Sequence, residues 1–236
     1  MAGEVKAVPA GHAPPSDDAI EEHIGESRWP PIVVILVFMA LNIAVRIWLP
    51  REAPFRVPWL LPGVEALLLI VLITSNPTGA AERRRLHRVA IALVGLLVFA
   101  ALWATALLVA DLIRGKGVSN DPSELLASGG VVWLGNNLSF ALLYWLMDGG
   151  GPSARLRRRV PLDFAFTQHL SPEVSPPGWR PVFLDYLHLG FTNATAFSPT
   201  DVMPLTHRAK LAMVVQSTVA LALFGLVVAR AVNAFT

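Results

Sequence analysis

Long runs of apolar residues are the feature that most constrains this chain. They cover 31–49, 59–75, 89–113, 124–147 and 209–233. A helix of about 20 residues crosses a hydrocarbon core roughly 30 Å thick, so each run is close to a membrane-spanning length. The composition agrees, because 54% of the residues are hydrophobic, 15% are charged and the mean hydropathy is +0.54. The sequence therefore predicts an all-α, polytopic integral membrane helical bundle with about five transmembrane helices.

Composition divides the chain into three regions. Residues 1–29 contain more acidic than basic residues, which predicts a disordered acidic N-terminal tail. Residues 30–123 contain the first three apolar runs and form a predicted three-helix membrane region. In the third region, 124–236, a helix start is predicted because Asp121 can cap the first turn and Glu124 can bond back to the cap.

The third region has the order helix, linker, polar segment, helix. An outer helix is predicted at 124–147, a linker containing RLRRR at 148–180, a mixed-polarity segment at 181–206 and an inner helix at 207–233. Proline and polar residues are tolerated at membrane depth where the backbone lines a cavity or is buried in protein. The polar segment is therefore predicted to be re-entrant and pore-helix-like, with a full crossing as the alternative.

The basic residues predict the orientation. If 181–200 dips in and returns, the tail, the 76–88 loop and the linker share one side. Together with Arg208 and Lys210 these segments hold 13 of the 19 Lys and Arg residues. The positive-inside rule makes that side cytoplasmic, and it explains the Arg clusters without a nucleic-acid partner. We therefore expect a multi-pass protein of the cell membrane, the inner membrane in a bacterium, with the lipid bilayer as a partner.

Two charged residues, Arg46 and Glu65, fall inside the apolar runs. An ionised group at the bilayer centre costs about 2.5–3.5 kcal/mol on insertion scales, so such residues usually have a partner. Both residues lie on the loop-proximal half of a predicted hairpin. We expect them to form an ion pair, with a role in proton or cation handling as the alternative.

A polar patch interrupts the fourth apolar run. Asn136, Asn137 and Ser139 either form interhelical hydrogen bonds or line a water-filled path. Gln216 and Ser217 in the last run allow the same two interpretations.

The sequence offers no catalytic or metal-binding pattern. The chain has no cysteine, and His169, His188 and His207 share neither a ligand spacing nor a helix face. We find no nucleophile elbow, no paired catalytic carboxylates and no phosphate-binding glycine loop in the sequence. We therefore expect neither enzymatic activity nor a metal or other cofactor.

The segment FLDYLHLGFTNATAFSPTDVMPLT, residues 183–206, resembles the pore-loop module of potassium and other tetrameric cation channels. The general channel pattern is FLDALYFSF, then TLTT, a hydrophobic residue, GYGD and a closing P-L-T. Matching positions are occupied by Phe183, Leu184, Asp185, Leu187, Phe191, Thr195, Asp201, Pro204, Leu205 and Thr206. The central GYG is replaced by Ser198-Pro199-Thr200.

This resemblance implies a homo-oligomer, a tetramer if the protein is a channel, that handles monovalent cations. The residues that it places in the pore and filter are Asn193, Thr195, Ser198, Pro199, Thr200 and Asp201. We therefore expect a channel-like pore-loop membrane protein that is a weakly selective cation channel. The alternative is a non-conducting membrane scaffold or accessory subunit that retains a degenerate channel fold.

A second resemblance covers more of the chain. The order of the apolar runs, the sequence FALLYW at 140–145 and the closing pattern FLDYLxLxFTNATAFSPTD…RAVN are similar to a family of uncharacterised bacterial multi-pass membrane proteins. This second resemblance implies the fold and no activity.

Overall fold

The computed structural model describes residues 29–48, 60–74, 80–114, 122–156, 160–195 and 201–235. The predicted tail, apart from Trp29, lies outside the described residues, and so do Ser198, Pro199 and Thr200. Arg46 belongs to a described helix, but its side chain is outside the description.

The first four described helices include the three of the predicted membrane region and the predicted outer helix. Helix α1 is Trp29–Trp48, α2 is Leu60–Thr74, α3 is Ala80–Arg114 and α4 is Pro122–Met147. Helix α4 begins at Pro122, the residue after the predicted cap Asp121 and two residues before the predicted range 124–147. Pro122 fits the first turn of a helix, where its missing N–H is not needed.

The second half of the chain contains shorter elements before its last helix. A 3-10 turn at Asp148–Gly150 follows α4, and α5 is Pro152–Leu156. Strand β1 is Phe164–Phe166, and α6 is Thr167–Leu170. The remaining elements are α7 at Phe183–Thr195, β2 at Val202–Pro204 and α8 at His207–Phe235.

The described residues are mostly helical, and three of their helices are long and apolar enough to cross a membrane. The candidate spans are Arg84–Ala110 in α3, Ser123–Arg155 around α4 and His207–Arg230 in α8. Helices α1 and α2 contribute the shorter apolar stretches Trp29–Ala40 and Pro62–Thr74. The membrane character predicted from the sequence is therefore supported by three spans rather than by five.

Helix α4 is the centre of the bundle. Its apolar window is 67% buried, against 39% for α3 and 28% for α8, because it packs against α1, α3, α7 and α8. The fully buried Phe140 and Tyr144 of α4 belong to the main hydrophobic core, which also includes residues of α1, α2, α3, α7 and α8. A smaller cluster joins α3, α4 and α8 and consists of Leu108, Leu125, Val132, Leu223 and Val227.

One small sheet corrects the all-α prediction. Strands β1 and β2 pair antiparallel, with Phe164 opposite Pro204 and Phe166 opposite Val202. Each strand has only three residues, which is too short for an alternating pattern to be recognised in the sequence. The pairing connects the linker to the segment that precedes α8.

Candidate functional site

Helix α7 lies against both α4 and α8. Its buried residues recur at helical spacing and are Phe183, Tyr186, Leu189, Gly190, Asn193 and Ala194. A Cβ at Gly190 would lie 3.3 Å from the Asn137 carbonyl oxygen and 3.4 Å from the Ala141 Cβ. Glycine at this position therefore lets the α7 backbone approach α4 closely.

Both flanks of α7 lie at the end of the bundle where α4 ends and α8 begins. On the N-terminal side, the Tyr186 hydroxyl donates a hydrogen bond of 2.5 Å to Asp148, just after α4. On the C-terminal side, the backbone N–H of Leu205 donates a hydrogen bond of 2.7 Å to the Asp163 carbonyl oxygen. Deeper in the bundle, the Asn193 amide donates a hydrogen bond to Gln216. Gln216 lies eight residues after Arg208, which is roughly 12 Å along α8 at 1.5 Å per residue. The described parts of 181–206 therefore enter and leave the bundle at one end.

A buried amide network, formed by Asn137, Tyr144, Asn193 and Gln216, joins α4, α7 and α8. The Gln216 oxygen accepts from the Tyr144 hydroxyl at 2.7 Å and from the Asn193 amide at 2.8 Å. The Gln216 nitrogen donates to the Gly190 carbonyl at 2.9 Å and to the Asn137 oxygen at 3.4 Å. Because an amide has two donor hydrogens and two acceptor sites, Gln216 is fully hydrogen-bonded although none of it is exposed.

A second cluster, which we call the Asp163 cluster, consists of Asp148, Asp163, Tyr186, Thr206 and Arg208. Both carboxylates are fully buried. Arg208 binds Asp163 with two donors, Nε to Oδ1 and one terminal nitrogen to Oδ2, each at 2.6 Å. The Thr206 hydroxyl also donates to Asp163 Oδ1 at 2.6 Å. Bidentate, charge-assisted bonds of this type are among the strongest polar contacts in proteins.

Asp148 connects the Asp163 cluster to the linker backbone. Its Oδ1 accepts from the backbone N–H groups of Asp163 at 2.7 Å and Phe164 at 3.2 Å. The turn that follows needs glycine, because Gly149 and Gly150 have φ of 57° and 79°, a region that strains side chains. Gly149 N then donates 3.3 Å to Asp163 Oδ2. The cluster therefore fixes the linker, α7 and α8 at the end of α4.

The residues predicted to line a filter have different surroundings. Asn193 is buried in the amide network, where its amide also donates 3.0 Å to the Met213 carbonyl. The Thr195 hydroxyl donates 2.8 Å to Phe191 of its own helix. Asp201 is half-buried, and its Oδ2 lies 3.1 Å from His188 Nε2. Ser198, Pro199 and Thr200, between Thr195 and Asp201, lie outside the described residues.

The predicted intramembrane polar residues are buried where the structure describes them. Glu65 of α2 is 1% exposed, while the side chain of its predicted partner Arg46 is not described. Asn137 belongs to the amide network, and it also donates 3.1 Å to Trp133 of its own helix. The Asn136 amide is 1% exposed and has no hydrogen-bond partner within the described ranges.

Sequence analysis missed the two aspartates that organise the Asp163 cluster. Both residues fall in the predicted linker 148–180, to which the sequence analysis assigned no buried acid. The signal was present, because both acids lie beside apolar residues in LMDG and PLDFAF. A carboxylate flanked by apolar residues is a candidate for burial, and buried carboxylates need partners.

Titratable groups in the described ranges do not gather into a metal site, since no group of three His, Cys, Asp or Glu side chains there could hold an ion. Comparison with protein-family models, with curated proteins and with solved structures gives no match for this chain.

Proposed function

We propose that the chain is a channel-like pore-loop membrane protein that forms a homo-oligomer and passes monovalent cations with weak selectivity. The observation that supports this function best is the position of α7. The helix enters the bundle between α4 and α8, and both of its flanks are held at one end by Tyr186, Leu205 and Arg208. A short helix followed by a loop that returns to its own side of the membrane is a re-entrant segment.

The polarity of α7 favours cations at its inner end. The last carbonyl groups of a helix carry a partial negative charge equivalent to roughly half an elementary charge. In α7 these carbonyls belong to the turn that ends at Thr195, next to residues 196–200. We propose that several copies of this turn, arranged around an axis, form the cation pathway.

Weak selectivity follows from the residues at the centre of the loop. A potassium filter replaces the hydration shell of the ion with successive backbone carbonyls. Glycines permit that backbone path, but Ser198 and Thr200 stand in their place. Pro199 also fixes φ near −65° and has no N–H with which to anchor the loop. A regular carbonyl ladder is therefore not expected, and hydroxyl groups would contact partly hydrated cations instead.

The test is ion flux through the full-length protein in liposomes, with K⁺ and Na⁺ compared at equal gradients. We expect flux of both ions at similar rates. Asp201→Asn, at the loop entrance, should reduce flux because it removes a charge that concentrates cations locally. Glu173→Gln is the matched control, because Glu173 is an exposed linker acid outside the proposed pathway. A potassium preference on the order of a hundredfold would contradict the broken carbonyl ladder.

A non-conducting scaffold or accessory subunit is the second candidate, and a specific observation favours it. Asn193 is held by α8, and the segment after the loop is held by β1 and by Asp163, so both flanks of the loop have partners within one chain. A protein that reconstitutes as a homo-oligomer without flux above that of empty liposomes would support this candidate and contradict the channel.

A further inference from the structure

Residues of α4, the C-terminal turn of α7 and α8 line a partly open cavity of about 540 Å³. This volume falls within the roughly 300–1,000 Å³ typical of sites for small molecules. Its walls include Trp133, Phe224 and Val227, and among the described residues Thr195 is the one lining side chain with a hydroxyl. Because the Thr195 hydroxyl donates to Phe191 of its own helix, the cavity presents almost only carbon to an occupant.

Two adjacent glycines of α4 line the cavity and differ in what surrounds them. A Cβ at Gly129 would lie 2.7 Å from a Val227 methyl, so Gly129 lets α4 pack closely on α8. A Cβ at Gly130 would have no atom within 4 Å, so this glycine leaves open space. A larger side chain at Gly130 can therefore occupy the cavity without a clash near its Cβ.

Arg230 lies near the end of the cavity that is farther from the Asp163 cluster. It follows Val227 by three residues, so the two side chains share one face of α8. Its Nε is buried and has no hydrogen-bond partner in the part of the chain that the structure describes, while the side chain as a whole is half-buried. A charged group with an unpaired donor favours a ligand with an acceptor, which would approach the exposed part of the guanidinium.

The position of Arg230 along α8 identifies the kind of acceptor. Arg208 and Arg230 lie at the two ends of the α8 span and are roughly 33 Å apart at 1.5 Å per residue. That separation is close to the thickness of the hydrocarbon core, about 30 Å. When the candidate span of α8 crosses the bilayer, this spacing puts Arg230 at the level of lipid headgroups and the apolar cavity beside it at the level of acyl chains.

We propose that the cavity holds one acyl chain of an anionic phospholipid whose phosphate accepts hydrogen bonds from Arg230. The guanidinium supplies the planar pair of donors that suits a phosphate, and the cavity supplies a carbon-lined site of membrane depth. This lipid site does not depend on whether the protein conducts ions.

The test uses the full-length protein in detergent, titrated with phosphatidylglycerol or phosphatidylcholine of identical acyl chains and read by native mass spectrometry. We expect the wild type to retain phosphatidylglycerol in preference. Arg230→Gln should weaken phosphatidylglycerol binding about fivefold, because a basic residue contributes that much near an anionic headgroup. Phosphatidylcholine should lose less, because its choline already neutralises the charge of its phosphate. Gly130→Leu should weaken both lipids, since its side chain fills the acyl site.

Matched controls separate these effects from general changes in the helix. Gly225→Leu introduces the same side chain on α8 at a position that is also open within 4 Å but does not line the cavity. Lys210→Gln removes a charge at the other end of α8. Both controls should bind lipid like the wild type, and millimolar inorganic phosphate should not displace the bound lipid.

Three outcomes would overturn the lipid site. The first is equal phosphatidylglycerol binding by the wild type and Arg230→Gln, and this comparison decides alone if Gly130→Leu does not fold. The second is displacement by inorganic phosphate, which would indicate a phosphate site without an acyl chain. The third is a change of oligomeric state in Gly130→Leu but not in Gly225→Leu, which would make a second copy of the chain the occupant.

Discussion

Asp163 has no exposed surface, yet it lies in a linker between helices. Four donors compensate for its burial: Gly149 N, the Thr206 hydroxyl and two nitrogens of Arg208. The arginine side chain is 58% exposed, so the pair joins a buried carboxylate to a partly hydrated guanidinium. Such a pair fixes geometry more than it adds net stability, because desolvation of the carboxylate offsets much of the attraction.

Removing only the arginine should therefore destabilise the protein more than removing both charges. Arg208→Gln leaves the Asp163 carboxylate buried without its cation, and we expect a loss of about 3 kcal/mol, the low end for a broken buried pair, because Arg208 is partly exposed. The double variant Arg208→Gln, Asp163→Asn should recover part of that loss. Thermal unfolding in detergent measures both, and a double variant less stable than the single one would contradict this account.

Gln216 is the residue on which the buried amide network depends. Gln216→Leu keeps a similar side-chain volume but leaves the Tyr144 hydroxyl and the Asn193 amide with fewer hydrogen-bond partners in a buried site. We expect a loss of about 1–3 kcal/mol, although single interhelical hydrogen bonds in membranes often contribute less. Ser217→Ala is the control, because the hydrogen bond that the structure describes for the Ser217 hydroxyl stays within its own helix, to Val214. Equal unfolding temperatures for the two variants would show that the network adds no stability.

At the scale of elements, the start of α7 is capped by its own third residue. Asp185 Oδ2 accepts the Val182 N–H at 2.7 Å, and partial burial of the carboxyl raises the pKa of Asp185 despite that bond and nearby His188. The folded state therefore favours the protonated form. The resulting stability is fully present below the ordinary pKa of the residue and is lost as the pH rises through the raised pKa.

Asp185→Asn should remove this pH dependence and keep an oxygen acceptor for Val182. We expect the variant to gain stability over the wild type as the pH rises from about 4 to 7, because only the wild type must bury a carboxylate. Unfolding temperatures of both proteins across that range measure the difference. A difference that shrinks towards neutral pH would have the wrong sign for a raised pKa.

At the scale of the whole molecule, the position of the Asp163 cluster makes the linker and the start of α8 neighbours. Arg155, the first residue of the basic stretch 155–159, therefore lies at the same end of the bundle as Arg208 and Lys210. This common end agrees with the charge count used to predict orientation, in which the basic end is cytoplasmic. The potassium-channel resemblance implies the opposite orientation, with the linker outside.

Labelling of a single cysteine decides between the two orientations. Ser153 is exposed, and the chain has no cysteine of its own, so Ser153→Cys provides one unique site. We expect an impermeant thiol reagent to label this site only after the cells are opened, because the positive-inside rule places it in the cytoplasm. Labelling of intact cells would contradict the predicted orientation and favour the channel-like arrangement.

The sequence by itself determined the helices of the second half with small errors. It predicted an outer helix at 124–147 and an inner helix at 207–233, and the structure has Pro122–Met147 and His207–Phe235. Long apolar runs indicate a helix, and capping residues and glycines indicate its ends. These signals are local in the sequence, so they predict helix bounds without knowledge of the fold. The short helix α7 within 181–206 was predicted on other grounds, from the mixed polarity of the segment and from the channel resemblance. The membrane-crossing role of α1 and α2 was not settled by their composition.

Only the tertiary structure decided which polar residues meet. Asn137 and Gln216 were recognised as polar residues in apolar runs, but their contact joins positions 79 residues apart. Asp163 and Arg208 are 45 residues apart, and β1 pairs with β2 across a similar distance. Such contacts depend on how α7 fits between α4 and α8, where Gly190 permits the close approach, and no local pattern encodes that fit. The sequence determined the elements, and packing determined their hydrogen-bond partners.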